Sequence, residues 1–234
     1  MNMEQLEKEA NMAGHLNGSE DKSPRWRNSP LVFGLGTLAL CSTLGVFSAA
    51  AGTTQLGTAT NGVGQFMVVR TDGIEQRLEG QGSLPLYEGD VIKTEGTSQG
   101  LLELTDGIQV AVNENSTILL LSRWEKEKGI TPILRLTSGE LWVKIVGGPK
   151  PLEVETPVAT AAVKSTEFDI KVHQDGETTL NVMEGVVEFG TAFGTCPIRT
   201  NTISYGKRGK KCTKPAPADV QAAKTWTTKV LPTP

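Results

Sequence analysis

Histidine, cysteine and aromatic residues are all scarce in this chain of 234 residues. It has two histidines (His15 and His173), three cysteines (Cys41, Cys196 and Cys212) and 5% aromatics. Two histidines give little basis for imidazole acid–base chemistry, and so few histidines and cysteines nearly exclude a zinc cluster built from the chain alone. Neither sign of charge dominates either, with 23 Lys+Arg against 26 Asp+Glu and a net charge of −3. A broadly basic nucleic-acid binder is therefore not the default expectation. Glycine is plentiful, at 26 residues. Many turns joining small aliphatic strands fit that composition.

Hydropathy divides the chain into five parts. Residues 1–30 are polar and aperiodic, and read as a disordered cytoplasmic leader. Residues 31–51 carry no charge. Twenty-one residues at helical rise span about 31 Å, close to a bilayer core of about 30 Å. Lys22, Arg25 and Arg27 precede this segment, and no charge follows until Arg70. That asymmetry orients the N-terminus to the cytoplasm. Two readings stay open: an uncleaved membrane anchor, or a signal peptide cleaved near Ala51. Residues 52–64, rich in Gly and Thr, read as a flexible linker. Residues 213–234 form a Pro-containing tail in which Asp219 caps a short helix reaching about Lys229.

Residues 65–212 alternate persistently. Leu102 and Leu104 share a face, Asp106-Gly107 marks a turn, and Ile108, Val110 and Val112 alternate again. Leu134/Leu136 and Leu141/Val143/Ile145 repeat the pattern around Ser138-Gly139. Phe168/Ile170/Val172 and Leu180/Val182 do so around Asp175-Gly176. Strands of about five residues between turns about ten residues apart predict an all-β domain. Trp124–Lys128 reads as a charged hairpin tip.

Three blocks then carry a resemblance. The run from Leu86 to Thr94 (LYEGDVIKT), followed by Ser98 and Leu102–Gly107 (LLELTDG), resembles the opening motif of the FecR-domain family. Residues 156–168 (TPVATAAVKSTEF) look like that family's signature, and residues 181–187 (NVMEGVV) resemble its next strand–turn–strand. The likeness covers about residues 63–190. It implies an exported all-β module, solenoid-like or a rolled sandwich. Gly89, Asp90, Asp106, Gly107, Thr156, Pro157, Thr166, Phe168, Glu184 and Gly185 are its structural positions. The glycines and aspartates suit turns, and Phe168 suits a core plug. Ser165 departs from the family by standing where glycine is usual. Thirty polar residues are too few for the packed cytoplasmic anti-sigma region of the family's iron-uptake regulators.

Asp90, Glu103, Asp106, Glu140 and Glu184 invite comparison with the carboxylate pairs of glycosidases, but turn capping accounts for most of them. No nucleotide-binding glycine motif or calcium loop is present, and no cofactor or metal is expected. Asn115-Ser116-Thr117 is read as a polar turn. Cys196 and Cys212 are the two cysteines that remain after export, and a disulfide between them is expected. Two separate thiols are the alternative. Between them lies the densest charge cluster, Lys207, Arg208, Lys210 and Lys211, with Lys214 just beyond. It is a candidate patch for an anionic envelope partner, or else a solvated hairpin tip.

The reading is a non-catalytic exported protein of the bacterial envelope. It is held in the inner membrane through residues 31–51 unless cleaved, with its β domain in the periplasm. The expected partner is an envelope protein or a polysaccharide, with no nucleic acid. A FecR-type transmembrane signalling regulator is the alternative, and a carbohydrate-active enzyme a more distant one.

Overall fold

The computed structural model describes residues 54–231 except Gln81, Asp106 and Lys128. The expected leader, the membrane or signal segment 31–51 and the turn residue Asp106 lie outside the described residues. Among the described residues, no helix is long and apolar enough to cross a membrane.

Among the described residues seventeen strands follow one another: β1 (Gln55–Val63), β2 (Phe66–Val69), β3 (Glu75–Leu78), β4 (Ser83–Tyr87), β5 (Val91–Thr94) and β6 (Gln99–Leu104) open the fold. Next come β7 (Ile108–Val112), β8 (Thr117–Glu125), β9 (Gly129–Ile145), β10 (Leu152–Glu155), β11 (Thr160–Val163) and β12 (Glu167–Val172). The last are β13 (Thr178–Glu184), β14 (Val186–Thr191), β15 (Gly194–Arg199), β16 (Thr202–Gly206) and β17 (Ala216–Pro217). A short helix α1 (Val220–Ala223) and a 3₁₀ segment (Thr225–Lys229) end the described chain.

Hydrogen bonding links the strands into one open sheet that doubles over as two layers. One layer runs β4-β1-β6-β7-β9-β12-β13-β16-β17. The other runs β3-β2-β5-β8-β9-β10-β11-β14-β15. Among the described residues, only the β9–β10 pairing is parallel. β9 belongs to both layers. Residues 129–138 pair in the second layer and residues 139–145 in the first. The expected turn at Ser138-Gly139 is thus a bend within one long strand. Gly139 makes it possible: its φ is +92°, and a Cβ there would lie 2.1 Å from Ser116 Oγ.

The linker expected over residues 52–64 is also corrected. Residues 55–63 form β1, hydrogen-bonded to β4 on one side and β6 on the other. Leu56 and Ala59 are buried in the core. Gly57 serves close packing here, because a Cβ on it would come within 2.4 Å of the Glu103 carbonyl oxygen.

Period-two burial explains the layers. Phe66, Ile92, Leu120, Leu134, Phe168 and Phe189 are among the wholly buried side chains that meet between them. Phe168 is the core plug the sequence implied, with Val143 and Val182 opposite it on β9 and β13. The four sheet borders discourage strand addition. β4, β15 and β17 carry Pro85, Pro197 and Pro217, and β3 carries Glu75 and Arg77.

The tail does not hang free. It lies on the outer face of the first layer, where Val220, Trp226 and Val230 cover Ala111, Trp142 and Met183. Asp219 caps α1 by accepting from the Ala222 N–H at 3.4 Å. Lys224 Nζ reaches Glu167 Oε1 at 2.8 Å, and the Trp142 indole N–H donates to the same oxygen at 3.1 Å. Burial pushes the Glu167 carboxyl up, but its bond to Lys224 and the charges of Lys144 and Lys224 outweigh this. The net result is a carboxyl held below its ordinary value.

On the same face Asp169 is almost wholly buried, and accepts from Asn181 Nδ2 at 3.2 Å. Burial, joined by the charge of Glu140, raises its carboxyl well above the usual range. An acid whose proton is held more tightly in the folded state contributes full stability below its unfolded pKa. That contribution is lost as pH rises toward the folded value. Asp169→Asn is therefore expected to match the parent near pH 4 and to exceed it in urea-denaturation midpoint at pH 8. Equal midpoints at pH 8 would show that Asp169 carries no such penalty.

Candidate functional site

Most of the described family-motif residues sit in turns or in the core. Gly89, at φ +89°, turns the chain into β5, and buried Asp90 accepts from the Tyr87 N–H at 2.7 Å while pairing with Arg70. Gly107 adopts φ +80° next to the Val146 carbonyl. Gly185, at φ +87°, faces the Ser165 carbonyl, where a Cβ would come within 2.6 Å. Ser165 is not among the positive-φ positions, so its side chain strains nothing. Glu184 is exposed, and Thr166 is buried beside β12. Asp90, Glu103, Glu140 and Glu184 stand on separate elements. Glu140 bonds Lys171 and Asn113. His173 is exposed and shares a hydrogen bond with Thr179. Asn115, at φ +55°, sits in the turn its neighbours implied.

One part of the signature does line a groove. Thr156 closes the turn before β11: its hydroxyl donates to the Ala159 carbonyl at 2.9 Å and accepts from the Ala159 N–H at 3.0 Å. Pro157 and Val158 form the outer lip of that turn. Opposite lie the β14–β15 turn, with Ala192 and Phe193, and the loop after β16, with Lys207, Arg208 and Gly209. Together they enclose a groove of about 550 Å³.

Close packing brings these distant segments together. Gly206 lies against Ala159 and Phe189, so that a Cβ would approach each to 3.1 Å. The end of β16 is thereby set beside β11 and β14. Thr191 ties the β14–β15 turn to the loop after β16: its hydroxyl donates to the Lys210 carbonyl at 2.9 Å and accepts the Phe193 N–H at 3.2 Å. The Lys211 stem lies over Gly194. Phe193 itself is 61% exposed.

The disulfide between Cys196 and Cys212 is formed, with the two Cα atoms 6.2 Å apart. It anchors the far end of the cationic loop to β15. Within the loop, the Lys210 N–H donates to the Lys207 carbonyl at 3.1 Å, and Gly209 takes φ +75°. Lys207 Nζ pairs with Glu177 at 2.6 Å. The hydrogen bond and charge of Glu177 raise the Lys207 ammonium above its ordinary value, so it stays protonated through neutral pH. Among the described residues, Arg208, Lys210, Lys211 and Lys214 make no ion pair, and all four are exposed. The five cations differ in position. Lys207 and Arg208 line the groove, Lys211 supports the Phe193-Gly194 turn, and Lys210 and Lys214 are not part of the groove wall.

Phe193 is the residue that sequence reasoning missed. Its available signal was an aromatic next to glycine in a polar turn, Thr191–Gly194, where no core pattern calls for one.

Residues 90–188 match the family model described as FecR protein. Two crystal structures, at 1.65 Å and 2.50 Å resolution, are similar in fold. Both are described as a "putative anti-sigma factor" from Parabacteroides distasonis. Each shows 18% identity and a TM-score of 0.50, with 58% of this chain and 63% of that chain covered. The match thus spans under two thirds of the length of those proteins. No curated protein matches the chain.

Proposed function

Starting from the FecR domain carried by residues 90–188, we propose that the protein is a non-catalytic binding module of the bacterial envelope that engages its partner through the groove at the β11–β14 end. The observation that carries this reading is the union of an exposed aromatic with two cations in a depression braced on every side. Thr191 bonds one wall, the disulfide fixes another, and Thr156 staples the third. A large aromatic this exposed contributes little to the core and suits an interface. Bacterial inner-membrane attachment through residues 31–51, with the β module in the periplasm, remains part of the proposal. The uncharged run, the preceding cations and the disulfide support it.

A second reading has its own support. The fold is shared with proteins described as anti-sigma factors. Under this reading the protein is a transmembrane signalling regulator, the groove receives the external signal and residues 1–30 relay it. Both readings place partner contact at Phe193. A photo-crosslinking amino acid at that position is expected to give an adduct in cells, while the same group at Ile74, exposed at the β2–β3 turn, gives none.

A further inference from the structure

We propose that the ligand of the groove is an acidic polysaccharide, a chain of carboxylate-bearing sugar rings; this rests on the reading of the groove as the binding site. The choice follows from what the groove offers and what it withholds. It offers one exposed aromatic face at Phe193, which suits stacking on the C–H face of a sugar ring. It offers the exposed cation Arg208 for carboxylates, beside Lys207, whose ammonium is already paired with Glu177. Thr160 adds a hydroxyl-bearing wall.

It withholds a strand edge. β11 is hydrogen-bonded on both sides, to β10 and β14, and β14 likewise to β11 and β15. The neighbouring border strand β15 carries Pro197, which has no N–H to give. An extended acidic peptide would find no backbone ladder there and would leave its own amides unpaired. A glycan has no such need, since its ring faces and carboxylates meet side chains alone. The charges are also fitted for discrimination. Glu177 holds Lys207 in place, whereas Arg208 makes no ion pair among the described residues and keeps its planar fork for a carboxylate.

The test is calorimetric titration of the full-length chain with three probes: oligogalacturonate, the same oligomer methyl-esterified, and poly-L-glutamate. Oligogalacturonate is expected to bind, with affinity falling as salt rises. The ester and poly-L-glutamate are each expected to bind at least about tenfold more weakly. Phe193→Ala and Arg208→Ala should each weaken oligogalacturonate about tenfold, and Phe193→Trp should retain it. Both alanine variants alter exposed side chains, so unchanged melting temperatures verify their fold. Three results would overturn the proposal: no oligogalacturonate binding, poly-L-glutamate binding equally well, or indifference to Phe193→Ala. An adduct at Phe193 in cells alongside any of these leaves the groove as the binding site and removes only the glycan.

Discussion

Phe168→Ala is expected to destabilise the β module by about 3–5 kcal/mol, the usual loss for truncating a fully buried phenylalanine. Phe168 has no exposed surface and lies between the two layers, flanked on its own layer by Val143 and Val182. Those neighbours sit on hydrogen-bonded strands and cannot collapse into the space without breaking ladders, so most of the cavity persists. Domains of this kind have about 5–15 kcal/mol in total, so the variant should sit close to unfolding. Urea denaturation measures this directly. A loss within about 0.5 kcal/mol, the range of ordinary surface changes, would contradict the central position of Phe168. Phe193→Ala supplies the contrast, with a loss inside that surface range. The two phenylalanines thus separate packing from binding.

Replacing both cysteines, Cys196→Ala with Cys212→Ala, is expected to cost about 3 kcal/mol, from the freedom returned to the unfolded chain. The bridge closes a separation of 16 residues and spans β16 together with the cationic loop. At about 2–4 °C per kcal/mol for a domain of this size, the melting temperature should fall by about 6–12 °C. Reductant added to the parent protein should lower it in the same direction. The double variant should also lose affinity at the groove, because the far end of the loop that holds Lys207 and Arg208 is no longer tethered to β15. A melting temperature unmoved by both the substitutions and the reductant would mean that the bridge does not constrain the unfolded chain as supposed.

The strands were legible wherever apolar residues alternate in order along the chain, as at Leu102/Leu104 and Phe168/Ile170/Val172. The reason is that period-two burial writes itself directly into residue order. β1 was not legible. Its glycines and threonines are those of a tether, and their actual role depends on Glu103, which lies 46 residues on from Gly57 and approaches it only in the folded sheet. The bend in β9 was hidden for a similar reason. Gly139 resembles any turn glycine, and only its contact with Ser116 distinguishes a strand changing layers from a hairpin. The tail's helix could be read from Asp219 and its apolar spacing, whereas its docking on Trp142 required the tertiary structure.

The candidate site divides in the same way. The cations stood out as a run, and the cysteine pair followed from export. The groove combines Thr156, Phe193 and Arg208, which no local pattern connects. Gly206 packing against Ala159 and Phe189 brings them together. The conspicuous signature residues mostly build turns and core, so the strongest sequence signal marks the scaffold more than the contact surface.

The central claim is that this groove meets the protein's partner. Photo-crosslinking of the full-length chain in the cells that produce it tests that claim most directly, with the reactive group at Phe193 and, separately, at Ile74. The account expects a discrete adduct of raised mass at Phe193, lost when Arg208 is replaced by glutamate, and none at Ile74. An adduct at Ile74 with none at Phe193 would move the contact to the opposite border of the sheet and contradict the account.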